Sequence, residues 1–148
     1  MALITPREAD AFILDSTAVR ENLSAARPFP PFGRVTMDGV AFRISDFEGK
    51  PLRLQGLHAA GDPTPPPLEK GHCWQVMTGS VMPSDCDTVI PYEEVTLNEN
   101  SGEIQCEPVP GRFIHREGSD AQTGDLILRS GLRLGPGHLG IAASIGAV

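Results

Sequence analysis

The stretch Cys73-Trp74-Gln75-Val76-Met77-Thr78-Gly79-Ser80-Val81-Met82-Pro83 reads as a short strand running into a loop. Cys73 to Met77 is a brief run of apolar and β-favouring residues, too short for a helix. Gly79, Ser80 and Pro83 are turn formers, and Thr78 sits at the junction. The same grammar repeats on both sides. Leu52 and Leu54 alternate with Arg53 and Gln55 before Gly56, as in a half-buried strand. Thr88 to Ile90, Glu94 to Leu97, Ile104 to Glu107 and Leu126 to Leu128 are further short strands, and Asn98 to Gly102 is a polar hairpin turn. The segment Gly-Asp-Pro-Thr-Pro-Pro-Pro over 61–67 is a stiff loop. The expected fold is mainly β with a few short helices, of the α+β kind.

The helices sit at the ends. Thr5-Pro6-Arg7-Glu8 combines a capping Thr, a Pro suited to the first helical position and a capping-box Glu, so a helix is expected to about Leu14. A second helical piece is expected from Ala18 to Ala26, ending where Pro28, Pro30 and Pro31 forbid it. Gly135-Pro136-Gly137 opens a third, with Leu139, Ala142, Ala143 and Ile145 as its apolar stripe and Gly146 as its stop. Ala147-Val148 then reads as the first step of a new apolar element. The expectation from that ending is a chain cut from a larger protein.

Composition narrows the class. Gly 16 and Pro 14 among 148 residues are dispersed rather than periodic, which fits many turns and excludes a collagen-like repeat. The net charge of -7 and the lack of a basic cluster argue against nucleic acid or an anionic membrane as the main partner. Cys73, Cys86 and Cys106 are odd in number and show no C-x-x-C spacing. With no signal-peptide core or long apolar run, they place the chain in a reducing cytoplasm. His58, His72, His115 and His138 are scattered, without the spacing of a zinc site.

Four loops gather acidic, hydroxyl and small residues. They are Pro30 to Ala41, which contains Asp38-Gly39; Gln75 to Pro83; Asp87 to Glu94; and Phe113 to Asp120. Taken locally, Asp38 caps a turn, the Thr78 loop is a plain turn without the Gly-Lys-Ser/Thr of a nucleotide loop, and the acidic pairs are solvated surface. Alternatively, the backbone N–H groups and hydroxyls around Thr78, Gly79 and Ser80 can hold an oxyanion.

Taken in order, these loops resemble the N-terminal region of MoeA-type molybdopterin molybdenumtransferases, a family that includes the gephyrin E domain. Its patterns run roughly PPFDxSxMDGYA, then a long AG…LxxG…MTGAPxPxGADAVVxxE, then an arginine-rich GED, then GDxLLxxGxxLxPxxLGxLASLG. Here the last reads Gly124-Asp125-Leu126-Ile127-Leu128 through Gly131 to Leu139-Gly140-Ile141-Ala142-Ala143-Ser144-Ile145-Gly146. The resemblance covers about 30–148. It implies coiled β-sheets on a small helical base. That base would be 1–39 with 122–148, the β-rich part 40–121, and a pterin-binding domain would follow 148.

The resemblance also implies a function: insertion of molybdate into adenylylated molybdopterin with release of AMP, dependent on a divalent metal such as Mg, in a homodimer whose cleft two subunits share. This chain would line the cleft and build the dimer, and would be inactive alone. Asp38, Thr78, Asp87, Glu93 and Asp120 match family positions, with Asp38, Thr78 and Asp120 the catalytic candidates. Arg116, Gly79 and Ser80 are the substrate-binding ones. On this reading Thr78 donates to molybdate or phosphate, and Asp38 and Asp120 hold a metal or orient cations.

There are departures. Gly33, Val35 and Val40 replace the family's Asp, Ser and Tyr, Pro83-Ser84-Asp85-Cys86 replaces its proline-glycine-alanine turn, and the basic turn has become His115-Arg116-Glu117-Gly118-Ser119-Asp120. At an effective dielectric of ~20, unit charges ~4 Å apart interact by ~4 kcal/mol, so lost arginines weigh heavily against an anionic substrate. The alternative reading is therefore a non-catalytic paralogue kept as a binding or scaffolding module.

Overall fold

The computed structural model describes residues 18–145, so the helix expected over 5–14, the stop at Gly146 and the final Ala147-Val148 lie outside the described residues. The chain divides into two compact units, Phe32–Glu117 and Met1–Pro31 with Gly118–Val148.

The unit Phe32–Glu117 is built on β3 (Gly39–Phe42), β4 (Leu52–His58), β5 (His72–Val76), β6 (Thr88–Pro91), β7 (Val95–Asn98) and β8 (Ser101–Ile104), side by side in the order β6-β3-β5-β4-β8-β7. Only β4 and β5 run parallel; the other neighbours are antiparallel. β3 (Gly-Val-Ala-Phe) and β6 (Thr-Val-Ile-Pro) are buried at every position. Their unbroken apolar runs suit strands covered on both faces. Val40, Phe42, Val76, Val89, Ile90 and Trp74 are among the residues that form the core.

The pairing explains where the elements depart from local expectation. β4 does not stop before Gly56 but runs to His58, with a register shift between Leu54 and Gly56 against β5. Leu52 and His58, six residues apart and so on the same face of the strand, are buried, and Leu57 is exposed. The hairpin is present, but β7 and β8 pair out to Asn98↔Ser101, leaving a two-residue loop where a five-residue turn was expected. The strand expected over Ile104 to Glu107 is thus drawn back to Ser101–Ile104.

Gly39 sets the spacing at the centre. A Cβ there would lie 2.0 Å from the Ile90 carbonyl oxygen and 2.8 Å from Pro91 Cα. β3 and β6 pair through Gly39↔Pro91 and Val40↔Ile90, so neither strand can withdraw without breaking the ladder.

In the unit that carries both ends of the chain, the helix expected from Ala18 to Ala26 is not formed. Leu23–Ser24 (β1) instead pairs with Leu126–Leu128 (β10). Val19 N donates to Leu132 O, Ala25 N to Asp125 O, Gly131 N to Val19 O and Ser130 N to Asn22 Oδ1. These long-range partners satisfy the backbone of a segment whose helix propensity is modest, and they override it. The expected terminal helix is present as α1 (Pro136–Ser144) after Gly135. Gly135 N donates to His138 Nδ1. Leu139, Ala142 and Ile145 are half-buried, but Ala143 is exposed and does not share their stripe. No helix among the described residues is long and apolar enough to cross a membrane.

Replacing Gly39 by Ala is expected to destabilise the chain by about 3 kcal/mol or more, because the clash is with backbone that cannot rotate away. Leu57→Ser, at a side chain 54% exposed, is expected to change stability by less than about 0.5 kcal/mol. Urea denaturation checks both, and a Gly39→Ala midpoint equal to wild type contradicts the packing described.

Candidate functional site

Three of the four loops are gathered in the unit Phe32–Glu117 by one short strand. β2 (Arg34–Val35) pairs on one side with β9 (Ile114–His115), in the register Arg34↔His115 and Val35↔Ile114. On its other side Val35 N donates to Ser80 O (3.0 Å), Gly79 N to Val35 O (2.8 Å) and Met82 N to Gly33 O (2.8 Å). Thr36 N donates to Phe113 O (2.9 Å). Beneath the Thr78 loop, the fully buried His58 donates Nε2–H to Val81 O (2.9 Å). Carbonyl oxygen only accepts, and this fixes the tautomer.

This arrangement sets Thr78 against Asp38. Asp38 Oδ1 accepts both the Thr78 backbone N–H (2.6 Å) and the Thr78 hydroxyl (2.7 Å). The backbone N–H first, and the hydroxyl second, hold the Asp38 carboxyl below the usual carboxylate range. Both residues are exposed. The charge is therefore presented to solvent, with Oδ2 unbonded among the described residues.

The geometry also says which way this edge faces chemically. Thr78 N–H and O–H point at Asp38, Gly79 N–H at Val35 O and Ser80 N–H at Met77 O (3.0 Å). Ser80 is fully buried, and its hydroxyl has no partner among the described residues. The backbone N–H groups and the Thr78 hydroxyl expected to hold an oxyanion are thus spent inside the chain, and the remaining Ser80 hydroxyl is buried. What Asp38 and Thr78 offer is carboxylate and hydroxyl lone pairs, which suit a hard cation or a hydrogen-bond donor.

Positive charge comes from Arg116, exposed at the end of β9, with no hydrogen bond or ion pair to a described residue. Arg34 NH2 lies 3.3 Å from His115 Nδ1. Asp120 belongs to the other unit, where its N–H donates to Phe29 O and its Oδ1 accepts from Ser119 Oγ (3.3 Å). Val35, at the family's serine position, is buried in the core.

The neighbouring acids hold the fold. Asp87 Oδ1 accepts Ile44 N–H (2.9 Å) and Thr88 Oγ–H (2.7 Å), and Asp85 Oδ2 accepts Leu68 N–H (2.6 Å) and Arg43 NH2 (3.2 Å). Glu93 is exposed on a short 3-10 turn, Tyr92–Glu94. Burial pushes the Cys73 and Cys86 thiols up to about 12, so neither is a thiolate nucleophile at neutral pH. No group of three or more His, Cys, Asp or Glu among the described residues is placed to hold a metal. Sequence reasoning missed His58 and Asp85. His58 lies past Gly56, where the local pattern ends the strand, so its burial becomes readable only once β4 is seen to continue against β5.

Comparison with known proteins gives a consistent picture. The sequence pattern of the MoeA N-terminal region (domain I and II) matches residues 4–146. A molybdopterin molybdenumtransferase of Synechocystis sp. is 38% identical over 130 residues, which are 85% of this chain and 33% of that protein. One from Haemophilus influenzae is 34% identical over 146 residues, 95% of this chain and 36% of that protein. The chain thus spans about a third of the length of these relatives. The crystal structure of the molybdopterin biosynthesis moeA protein from Pyrococcus horikoshii OT3 superposes with a TM-score of 0.80 at 25% identity, over 99% of this chain and 45% of that one.

The Asp38–Thr78 contact predicts a titration. A carboxyl whose folded value is lowered stabilises the fold above its ordinary value of 3.8, and loses that contribution as pH falls through the folded value. The Asp38 carboxyl carbon should titrate by NMR below 3.8, and Thr78→Val should move the midpoint part of the way back, because the backbone donor remains. A midpoint at or above 3.8 in the native chain contradicts the geometry. Ser80→Ala removes an unpartnered buried hydroxyl and should leave the thermal midpoint unchanged or raise it; a clear fall would mean the hydroxyl is bonded.

Proposed function

Since the chain belongs to the MoeA N-terminal region (domain I and II) family, we propose that it forms part of the cleft of an enzyme that inserts molybdate into adenylylated molybdopterin, releasing AMP. The observation that carries the proposal is the ionised Asp38 carboxylate, held by Thr78 at an exposed loop edge in the same unit as Arg116, which pairs with no described residue. The relatives' names and the shared fold support it.

The roles follow from the atoms on offer. Arg116 meets the oxyanion, molybdate or phosphate, with a planar charged fork. Asp38 Oδ2 and the Thr78 hydroxyl oxygen are oxygen ligands of the kind a hard divalent cation such as Mg takes, and they supply part of its shell; the rest would come from substrate oxygens and water. Such a cation would offset the negative charge of an oxyanion held near Asp38. Asp120, at a matching family position in the other unit, is a further candidate acid. Gly79 and Ser80 contribute by shaping the loop. The proposal includes a homodimer that completes the cleft and a cytoplasmic location, and it makes this chain insufficient for turnover alone.

A second reading, a non-catalytic paralogue serving as a binding module, is favoured by the buried Val35 and by His115 in the basic turn. A chimera separates the two. This chain replaces the matching third of the Synechocystis sp. relative, and molybdate-dependent AMP release is measured. Release should be retained, and Asp38→Asn should lower it by about tenfold or more with an unchanged thermal midpoint. A folded chimera that binds adenylylated molybdopterin but releases no AMP would establish the second reading instead.

A further inference from the structure

The Arg116 side chain lies against Gly111 in this structure. An ideal Cβ built on Gly111 would lie 2.7 Å from Arg116 NH2 and 3.8 Å from its Cζ, with no other guanidinium atom within 4 Å. One terminal nitrogen therefore occupies the space that a side chain at 111 would fill, and Nε and NH1 lie more than 4 Å from it. Gly111 is itself fixed. Its φ is +78, its N–H donates to Asp87 O (2.8 Å), and Arg112 N donates to Val109 O (3.3 Å).

The loop between Gly111 and Arg116 is held along its length. The Arg112 guanidinium stacks 4.4 Å from the centre of the Phe113 ring and reaches Glu94 Oε2 at 3.7 Å. Phe113 is the single non-glycine residue with positive φ (59) among the described residues. Its carbonyl accepts Thr36 N–H, which ties the left-handed turn to β2. A non-glycine residue in this region carries strain and persists where its surroundings impose it.

We propose that Gly111 is a positioning residue for Arg116: the missing side chain provides a seat that pins one guanidinium nitrogen and leaves the opposite, two-donor edge directed outward for a tetrahedral oxyanion. This rests on the role given to Arg116 in the proposed function. Pinning one end removes rotamer freedom before the anion arrives, and this is how a preformed site gains affinity over a mobile one. A turn glycine alone would need only the positive φ. The seat additionally requires that no Cβ be present.

Side-chain NMR on the intact 148-residue chain tests it. In the native chain, Arg116 Nε–H should show a rigid heteronuclear NOE and cross-peaks from the guanidinium to Gly111 Hα, whereas the exposed Arg53 should be mobile. Gly111→Asn keeps a residue that tolerates positive φ but adds a Cβ, and it should make Arg116 as mobile as Arg53. Gly49→Asn is the control, because Gly49 has φ +74 and nothing within 4 Å of its Cβ position; it should leave Arg116 rigid. A mobile Arg116 or missing Gly111 cross-peaks in the native chain overturn the seat even if the Gly111 variant does not fold. An Arg116 that stays rigid in Gly111→Asn overturns it as well. Titration with inorganic molybdate, and separately phosphate, distinguishes the other failure. A rigid, seated Arg116 whose Nε–H shifts with neither anion upholds the seat and removes Arg116 from the oxyanion role.

Discussion

The candidate site depends on Val35, whose backbone is bonded to the Thr78 loop through both its groups: its N–H donates to Ser80 O and its carbonyl accepts Gly79 N–H. On the other edge of the same two-residue strand lies β9, which leads into Arg116. Val35 also buries its side chain in the core, so the strand is fixed by packing as well as by pairing. Three loops far apart in sequence become neighbours because a two-residue strand has two hydrogen-bonding edges and both are used.

From that clamp the chemistry of the edge follows. Once Gly79 and Ser80 donate inward, the N–H left at the tip of the loop is that of Thr78, and Asp38 takes it together with the hydroxyl proton. A loop rich in glycine and hydroxyls, which in isolation suits an anion, becomes a holder for a carboxylate. The negative group is fixed by two donors, and positive charge is provided separately by Arg116.

Much of the sheet was legible from the chain. Short apolar runs between turn formers marked β5, β6 and β10 to within a residue or so; for β6, buried at every position, this is the continuous sequence that a strand covered on both faces needs. The helix expected over Ala18 to Ala26 failed because its backbone partners lie about 110 residues away, as in Ser130 Oγ donating to Arg20 O, and no local window contains them. The continuation of β4 past Gly56 was hidden for a related reason: glycine there looks like a stop until Trp74 Cζ3 is seen 2.7 Å from where its Cβ would be.

The sequence by itself determined the β-rich class, the order of the loops and the family likeness, because turn chemistry and apolar periodicity are local properties and motif order is written along the chain. It also supplied Asp38, Thr78 and Arg116 as candidates. Only the tertiary structure decided that Asp38 and Thr78 bond to each other, that the backbone N–H groups of Thr78, Gly79 and Ser80 are all taken within the chain, and that Gly111 lies against Arg116. Those are properties of hydrogen-bond satisfaction and excluded volume between distant segments, and each donor's single proton and each atom's space can be assigned only once the partners have been brought together.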